Sequence, residues 1–388
     1  MEGNRSLMAV DPGDMLWKIK GLTRSIIGDL CTGHCPTISV DRFRNYCKKN
    51  SNLICGCSPD YCEGKSNLTF GRACQARQIN FLLRVLLIIQ QLLQEKKHGS
   101  KRDIYYMYPS LFSAQSVVDR AINDLCIILD CSRHNLNVVS VGKGLVMGWL
   151  RFTEAGSWYD CMNNLNAAHS VPVHVEKVDD ILSMAQYILV VEKESVFQRL
   201  ANDRFCSRNH CIVITGRGYP DVPTRRFLRL LFETLHLPTF CLVDCDPFGF
   251  DILTTYRFGS QQMAQEAKLL CNPEIRWLGA FPSDFEKYRL PEESLLPLTE
   301  NDERKIKAML GRCYLQREVP GWRSELELML QRRVKFEIEA LSVQSISFLC
   351  QEYIPSKIDE VREWDSSSHS QSPFTTYLLS QQAASTHT

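Results

Sequence analysis

Apolar residues follow two rhythms along the chain. In the first third they recur at helical spacing: Arg77 to Lys96 carries a continuous apolar face, and Val117, Val118, Ala121, Ile122, Leu125, Ile128 and Leu129 repeat it between Ser113 and Asp130. Both stretches predict helices, the first stopping at Lys96, Lys97 and His98 with Gly99 just beyond. Ser132 is placed to cap a short following helix. Leu136 to Val141 and Leu145 to Phe152 then read as strands joined across Gly142-Lys143-Gly144, a tight-turn signal. Helix, short helix and hairpin in that order predict a winged helix-turn-helix, a module that lays a helix in the DNA major groove and a hairpin on the backbone.

From Tyr187 onward the rhythm changes. Tyr187 to Glu192, Cys211 to Thr215, Phe240 to Asp244 and Ile275 to Ala280 are short apolar runs, separated by helical stretches at Glu194 to Ala201, Pro223 to Leu235 and Phe250 to Phe258. Alternating strand and helix predict an α/β domain with a mainly parallel sheet covered on both faces. Trp322 to Leu341 reads as an amphipathic closing helix. Four segments result: a poorly ordered, Cys-rich stretch over 1–76, a helix plus winged-helix domain over 77–175, the α/β domain with C-terminal helices over 176–358, and a Ser- and Gln-rich disordered tail over 359–388. The most apolar run, Phe81 to Leu93, is interrupted by Arg84 and falls short of the roughly 20 residues a membrane span needs.

Composition fits a globular protein, with 44% hydrophobic and 23% charged residues in 388. The 45 Lys and Arg nearly balance the 44 Asp and Glu, which excludes a polybasic coat or an acidic tail protein. That balance conceals a split. Asp41 to Arg151 holds 16 basic against 8 acidic residues, so a basic segment precedes an acidic one. The 17 cysteines are odd in number and the N-terminus lacks the pattern of a secretory signal, so reduced thiols in the cytosol or nucleus are expected. Seven of them lie early, between Cys31 and Cys74, but their spacing fits no paired C-x2-C zinc framework.

Candidate chemistry sits at strand ends. Glu192 follows Tyr-Ile-Leu-Val-Val, Asp244 follows Phe-Cys-Leu-Val, and Asp246 comes two residues later. In an open parallel sheet the carboxyl ends of strands form the functional crevice, and hard oxygen ligands gathered there suit Mg²⁺. Each acid has a plainer reading as a helix cap or solvated loop residue, and Asp246 in Asp-Pro-Phe-Gly fits a cap as well as a ligand. Arg217, between two glycines after another strand, fits a DNA phosphate contact, as do Lys143 in the expected hairpin turn and Arg133 near the short helix, although each of these two reads equally as an ordinary solvated charge. Lys101-Arg102-Asp103-Ile104-Tyr105-Tyr106 sets phenols beside cations, and a tyrosine helped by a base or positive charge can act as a nucleophile. By composition alone the Tyr-Tyr pair is core packing.

Seven segments in order, KRDIYYMYPSLF, VGKGLVMGWLRF, VVEKESVFQRL, ITGRGYPD, LVDCDPFG, IRWLGAFPSD and KFEIEAL, together resemble the eukaryotic meiotic double-strand-break transesterases, relatives of the A subunit of archaeal DNA topoisomerase VI. The wording looks most like plant members, and the match spans about Arg77 to Ile358. The resemblance implies a type IIB topoisomerase-like chain: a winged helix carrying the nucleophile, then a Toprim domain carrying the metal. It maps the nucleophile to Tyr106, with Tyr105 its neighbour, and the metal-holding acids to Glu192, Asp244 and Asp246. Arg102 would stabilise charge on the scissile phosphate or ease loss of the phenol proton. It further implies nuclear action on meiotic chromosomes, double-stranded DNA as substrate, a homodimer because two opposite nicks need two tyrosines, and a topoisomerase VI B-like partner. The Arg77 to Lys96 helix reads equally as that partner's dock or as internal core. A metal-dependent Toprim nuclease and a catalytically silent DNA-binding subunit remain as alternatives.

Overall fold

The computed structural model describes residues 12–42, 64–260, 263 and 266–369. Two hydrophobic cores organise them. The first gathers apolar residues from Met15 to Val138 and the second gathers those from Leu145 to Ile358, so the module boundary falls between Val138 and Leu145.

In the first module α1 (Pro12–Cys31) leads to β1 (Thr37–Arg42) and β2 (Gly64–Thr69), an antiparallel pair. Next come α2 (Ala73–Gln94), β3 (Gly99–Ser100), α3 (Lys101–Met107), the single turn α4 (Pro109–Phe112), α5 (Gln115–Ile128) and β4 (Val138–Val139). The long apolar helix expected at 77–96 is α2, which is long and apolar enough by composition to cross a membrane but buries Ile79, Leu82, Val85, Leu86, Ile88, Ile89 and Leu93 in this core. The helix expected from 113 is α5, and Ser132 accepts the Asn135 N–H (3.3 Å) ahead of one short turn over His134–Leu136. Residues 12–42 and 64–76 are not the loose segment expected of the N-terminus, because Met15, Ile19, Val40 and Leu68 are fully or almost fully buried against α2 and α5. Of the early cysteines, Cys47, Cys55, Cys57 and Cys62 lie outside the described residues, and Cys31, Cys35 and Cys74 are free and exposed.

The second module is built on a six-stranded sheet. Its strands are β5 (Leu145–Gly148), β8 (His169–Ser170), β10 (Tyr187–Val191), β11 (Cys211–Thr215), β12 (Thr239–Leu242) and β13 (Arg276–Gly279), in the order β13-β12-β10-β11-β5-β8. The four strands β13, β12, β10 and β11 are parallel, and β5 and β8 are added antiparallel. All four expected central runs therefore form the parallel part, and every residue of β10, β11 and β12 is buried, as a sheet covered on both faces requires. The covering helices include α6 (Glu194–Asn202), α7 (Phe205–Asn209), α8 (Val222–Leu235), α9 (Pro247–Phe258) and α10 (Ala267–Leu270). A side sheet joins β6 (Leu150–Glu154), β7 (Ser157–Asp160) and β9 (Val178–Ser183) in the order β7-β6-β9.

Two expectations fail here. The hairpin across Gly142-Lys143-Gly144 does not form: β4 pairs in parallel with β3, while β5 enters the main sheet beside β11. The glycines serve close approach, not a turn. A Cβ on Gly144 would stand 2.1 Å from Thr224 Oγ1 at the start of α8, and all four residues of β5 are buried, as a sheet interior needs and a solvent-facing wing does not. The main sheet consequently begins at Leu145, well before the boundary expected at residue 176.

The second failure is the helix from Trp322 to Leu341. After α11 (Asp284–Lys287), β14 (Leu296–Pro297), α12 (Glu300–Leu310) and α13 (Cys313–Arg317), α14 (Pro320–Arg332) stops at Arg333, whose φ is 57°. β15 (Val334–Lys335) then pairs with β14, and Phe336 forms a β-bridge to Cys245. Those exchanges satisfy backbone groups that a longer helix would have paired internally. The last described element is α15 (Ile354–His369), so helix extends into the tail expected from 359, and residues 370–388 lie outside the described set.

Candidate active site

The acids predicted at strand ends come together. Glu192 follows β10 and Asp244 follows β12, neighbours in the sheet, and the Asp244 N–H donates to Glu192 Oε2 at 2.9 Å. Asp244 Oδ1 accepts the Ile338 N–H (2.9 Å), and its Oδ2 lies 3.0 Å from Lys193 Nζ. Asp246 is the N-cap of α9, where one oxygen accepts the Phe248 and Gly249 N–H groups at 2.9 and 2.6 Å. The capping role weighed for Asp246 is thus real. Its other oxygen takes no part in that cap, so capping does not exclude ligation.

Close approach of α9 depends on Gly249. A Cβ there would meet Asp244 O at 2.5 Å and Glu192 Oε2 at 2.9 Å. Burial, with the Asp244 charge beside it, pushes the Glu192 carboxyl up to about 8. Burial also raises Asp244 to about 6, against the Ile338 N–H and Lys193, which favour its charged form.

Among the described residues, no three His, Cys, Asp or Glu side chains stand as a finished cation cage. What the trio offers is an open set of hard donors. Glu192 Oε1 and Asp246 Oδ2 accept no hydrogen bond from a described residue, whereas both Asp244 oxygens are engaged. Two free carboxylate oxygens beside mutually repelling charges fit a divalent cation that keeps waters or phosphate oxygens.

The basic candidates separate. Arg217 (φ 53°) sits on the loop after β11, and that loop is bound to the acids: the Gly218 N–H and Thr215 Oγ1 both donate to the Glu192 carbonyl, at 2.9 and 3.2 Å. Lys143 reaches the same loop, with Nζ donating to the Arg217 carbonyl (3.0 Å) and the Lys143 N–H to Asp221 (2.6 Å). Both side chains are exposed, Arg217 pairing with Glu194 (3.1 Å), so Lys143 belongs to the loop tied to the Glu192 carbonyl and not to a wing. Arg133 is different. It is 8% exposed, bonds Asn123, and lies with its N–H 2.9 Å from Glu266 Oε1 at the seam between modules. A side chain so enclosed is out of reach of a DNA phosphate.

Tyr106 stands apart from the acids. It is 65% exposed on α3, whose start is fixed by a capping box in which Ser100 and Asp103 bond each other's backbone N–H groups at 3.1 and 2.7 Å. The Tyr105 ring packs edge-on against it, centroids 5.2 Å apart, and is itself partly buried on the first core. Arg102, one helical turn earlier, is exposed. Among the described residues no hydrogen bond or ion pair joins Tyr106 or Arg102 to Glu192, Asp244 or Asp246.

Sequence reasoning passed over Lys193, Glu337 and Glu339, although VVEKES and KFEIEAL contain them. The alternation Glu-Ile-Glu was the legible signal: it turns two acids one way and buries Ile338 between them.

Comparison with known proteins places these features. A family model for the Toprim domain shared by the topoisomerase 6 A subunit and Spo11 matches residues 187–358, and one described as "Type IIB DNA topoisomerase" matches residues 77–138. The chain is 63% identical to "Meiotic recombination protein SPO11-1" of Arabidopsis thaliana, over 92% of this chain and 98% of that protein. It is 36% identical to "Meiotic recombination protein SPO11" of Homo sapiens, over 89% and 87%. It is 39% identical to the A subunit of DNA topoisomerase 6 of Arabidopsis thaliana, over 76% and 69%.

Proposed function

The chain belongs to the family that unites Spo11 with the A subunit of topoisomerase 6, and on that footing we propose that it makes DNA double-strand breaks by transesterification, initiating meiotic recombination in the nucleus. One observation carries the reading: a single chain holds an exposed Tyr106 on a firmly capped basic helix and, in a separate module, strand-end carboxylates with free oxygens.

Tyr106 Oη attacks a backbone phosphorus of double-stranded DNA. The P–O3′ bond breaks, the phenol proton leaves, the 3′-oxygen takes up a proton as a hydroxyl, and the 5′-phosphate stays on the tyrosine. Bond energy is conserved, so this step needs no ATP. Arg102, on the same helix face, offers a guanidinium to the phosphate oxygens. Glu192 and Asp246, with Asp244 behind them, would hold a divalent cation, Mg²⁺ in this reading, which would supply positive charge at the cleavage site. Lys143 and Arg217 flank those acids and contact phosphates, which predicts binding governed by backbone and shape, with steep salt dependence.

The winged-helix role falls to α3 and α5 with the β1–β2 pair, in place of the wing expected at Gly142-Lys143-Gly144. Because Tyr106 and the acids make no contact within one chain, a homodimer that offers each tyrosine to the other protomer's acids fits the arrangement. A topoisomerase VI B-like partner completes the assembly.

The test is recovery of DNA covalently bound to protein. Tyr106→Phe abolishes the adduct and Tyr105→Phe retains it. The reverse result would overturn the assignment.

A further inference from the structure

Lys193, next to Glu192, has no part in the reaction just described, yet it is surrounded by acids. Its Nζ lies 3.0 Å from Asp244 Oδ2, 3.0 Å from Glu337 Oε2 and 2.9 Å from Glu339 Oε2. An ammonium has three N–H donors, and here three carboxylates surround it. Ser195 Oγ donates to the other oxygen of Glu339 (2.8 Å), holding that side chain in place. The ensemble is three carboxylates converging on one tethered positive charge, and it shares Asp244 with the donor set around Glu192.

Two-metal phosphoryl-transfer sites hold paired divalent cations about 3.5–4 Å apart. We propose that the Lys193 ammonium fills what would otherwise be a second divalent-cation position, and so restricts this site to one cation. The inference rests on the reading of Glu192 and Asp246 as cation donors. Without the ammonium, Asp244, Glu337 and Glu339 would be hard oxygen donors left without their common positive charge, the kind of donor that divalent cations draw together. With it, the site lacks the paired cations that clamp an attacking water and a leaving oxygen together. Attack is left to the tyrosine, and Lys193 acts as a specificity-determining residue for transesterification over hydrolysis.

Mn²⁺ titrated into the full chain and counted by electron paramagnetic resonance tests this without reference to activity. Wild type binds one ion per protomer, Lys193→Gln binds two with spin coupling between them, and Lys193→Arg stays at one. Lys193→Met, which keeps the apolar stem, is counted in the same way should Lys193→Gln fail to fold. A folded, neutralised variant that still binds one ion overturns the inference and leaves the cation reading standing. Wild type that binds none overturns the cation reading itself.

Discussion

The two halves of the proposed chemistry are held in opposite ways. Tyr106 is exposed, its ring packs edge-on against its neighbour Tyr105, and its helix is fixed by a cap at the far end. The carboxylates are enclosed between strand ends, the α9 N-terminus and the segment around Ile338, with backbone N–H groups aimed at all three. The contrast teaches that the nucleophile is built to be carried to its target, whereas the acids are built to stay. Substitutions should therefore divide cleanly: changes at the tyrosine remove chemistry and spare stability, and changes around the acids affect both.

The largest effect is expected at Gly249. Gly249→Ala drives a methyl into Asp244 O and Glu192 Oε2, which should lower stability by about 3 kcal/mol and weaken Mn²⁺ binding. Tyr106→Phe should melt within about 0.5 kcal/mol of wild type. Equal melting of the two in denaturant titrations would break the comparison.

Next comes the seam. Arg133→Ala keeps the backbone N–H on Glu266 but removes the guanidinium that lies 3.8 Å from that buried carboxylate and bonds Asn123, and should destabilise the chain by about 2 kcal/mol, with DNA affinity at fixed salt unchanged. Lys143→Ala should do the opposite, sparing stability and reducing the salt slope of DNA binding by about one. A loss of affinity on Arg133→Ala alone would return that residue to the DNA surface.

The smallest effect is on pH. Glu192 has a folded-state value of about 8, above its ordinary one, so the folded chain binds the proton more tightly than the unfolded chain. Its contribution is complete below the ordinary Glu range and is lost as pH rises through about 8. Melting temperature in chelator should fall by a few degrees across that window, and Mg²⁺ should restore it. A flat profile would mean that the acids are less enclosed than the geometry implies.

Much of this was legible in the chain. Strands buried on both faces read as unbroken apolar runs, so β10, β11, β12 and β13 stood out, and the acids at their ends came with them. Gly142-Lys143-Gly144 misled because glycine has two uses, turning and close approach, and only the neighbour at Thr224 tells them apart. Helical periodicity continued past Arg333, where a long-range bridge from Phe336 to Cys245 prevails over local preference. Arg133 looked like any basic residue near a DNA-reading helix. Its acidic partner, Glu266, stands 133 positions away, beyond the reach of pattern.

The bridge from Phe336 to Cys245 and the Ile338 bond to Asp244 also have a genetic consequence. An allele or splice form ending upstream of Phe336 would encode an intact tyrosine module and the central strands, but neither the Phe336 bridge to Cys245 nor the Ile338 N–H that holds one Asp244 oxygen. In the proposed dimer such a product would contribute its own nucleophile while offering its partner's tyrosine a defective catalytic centre. Heterozygotes would then lose more breaks than the halved gene dose alone removes.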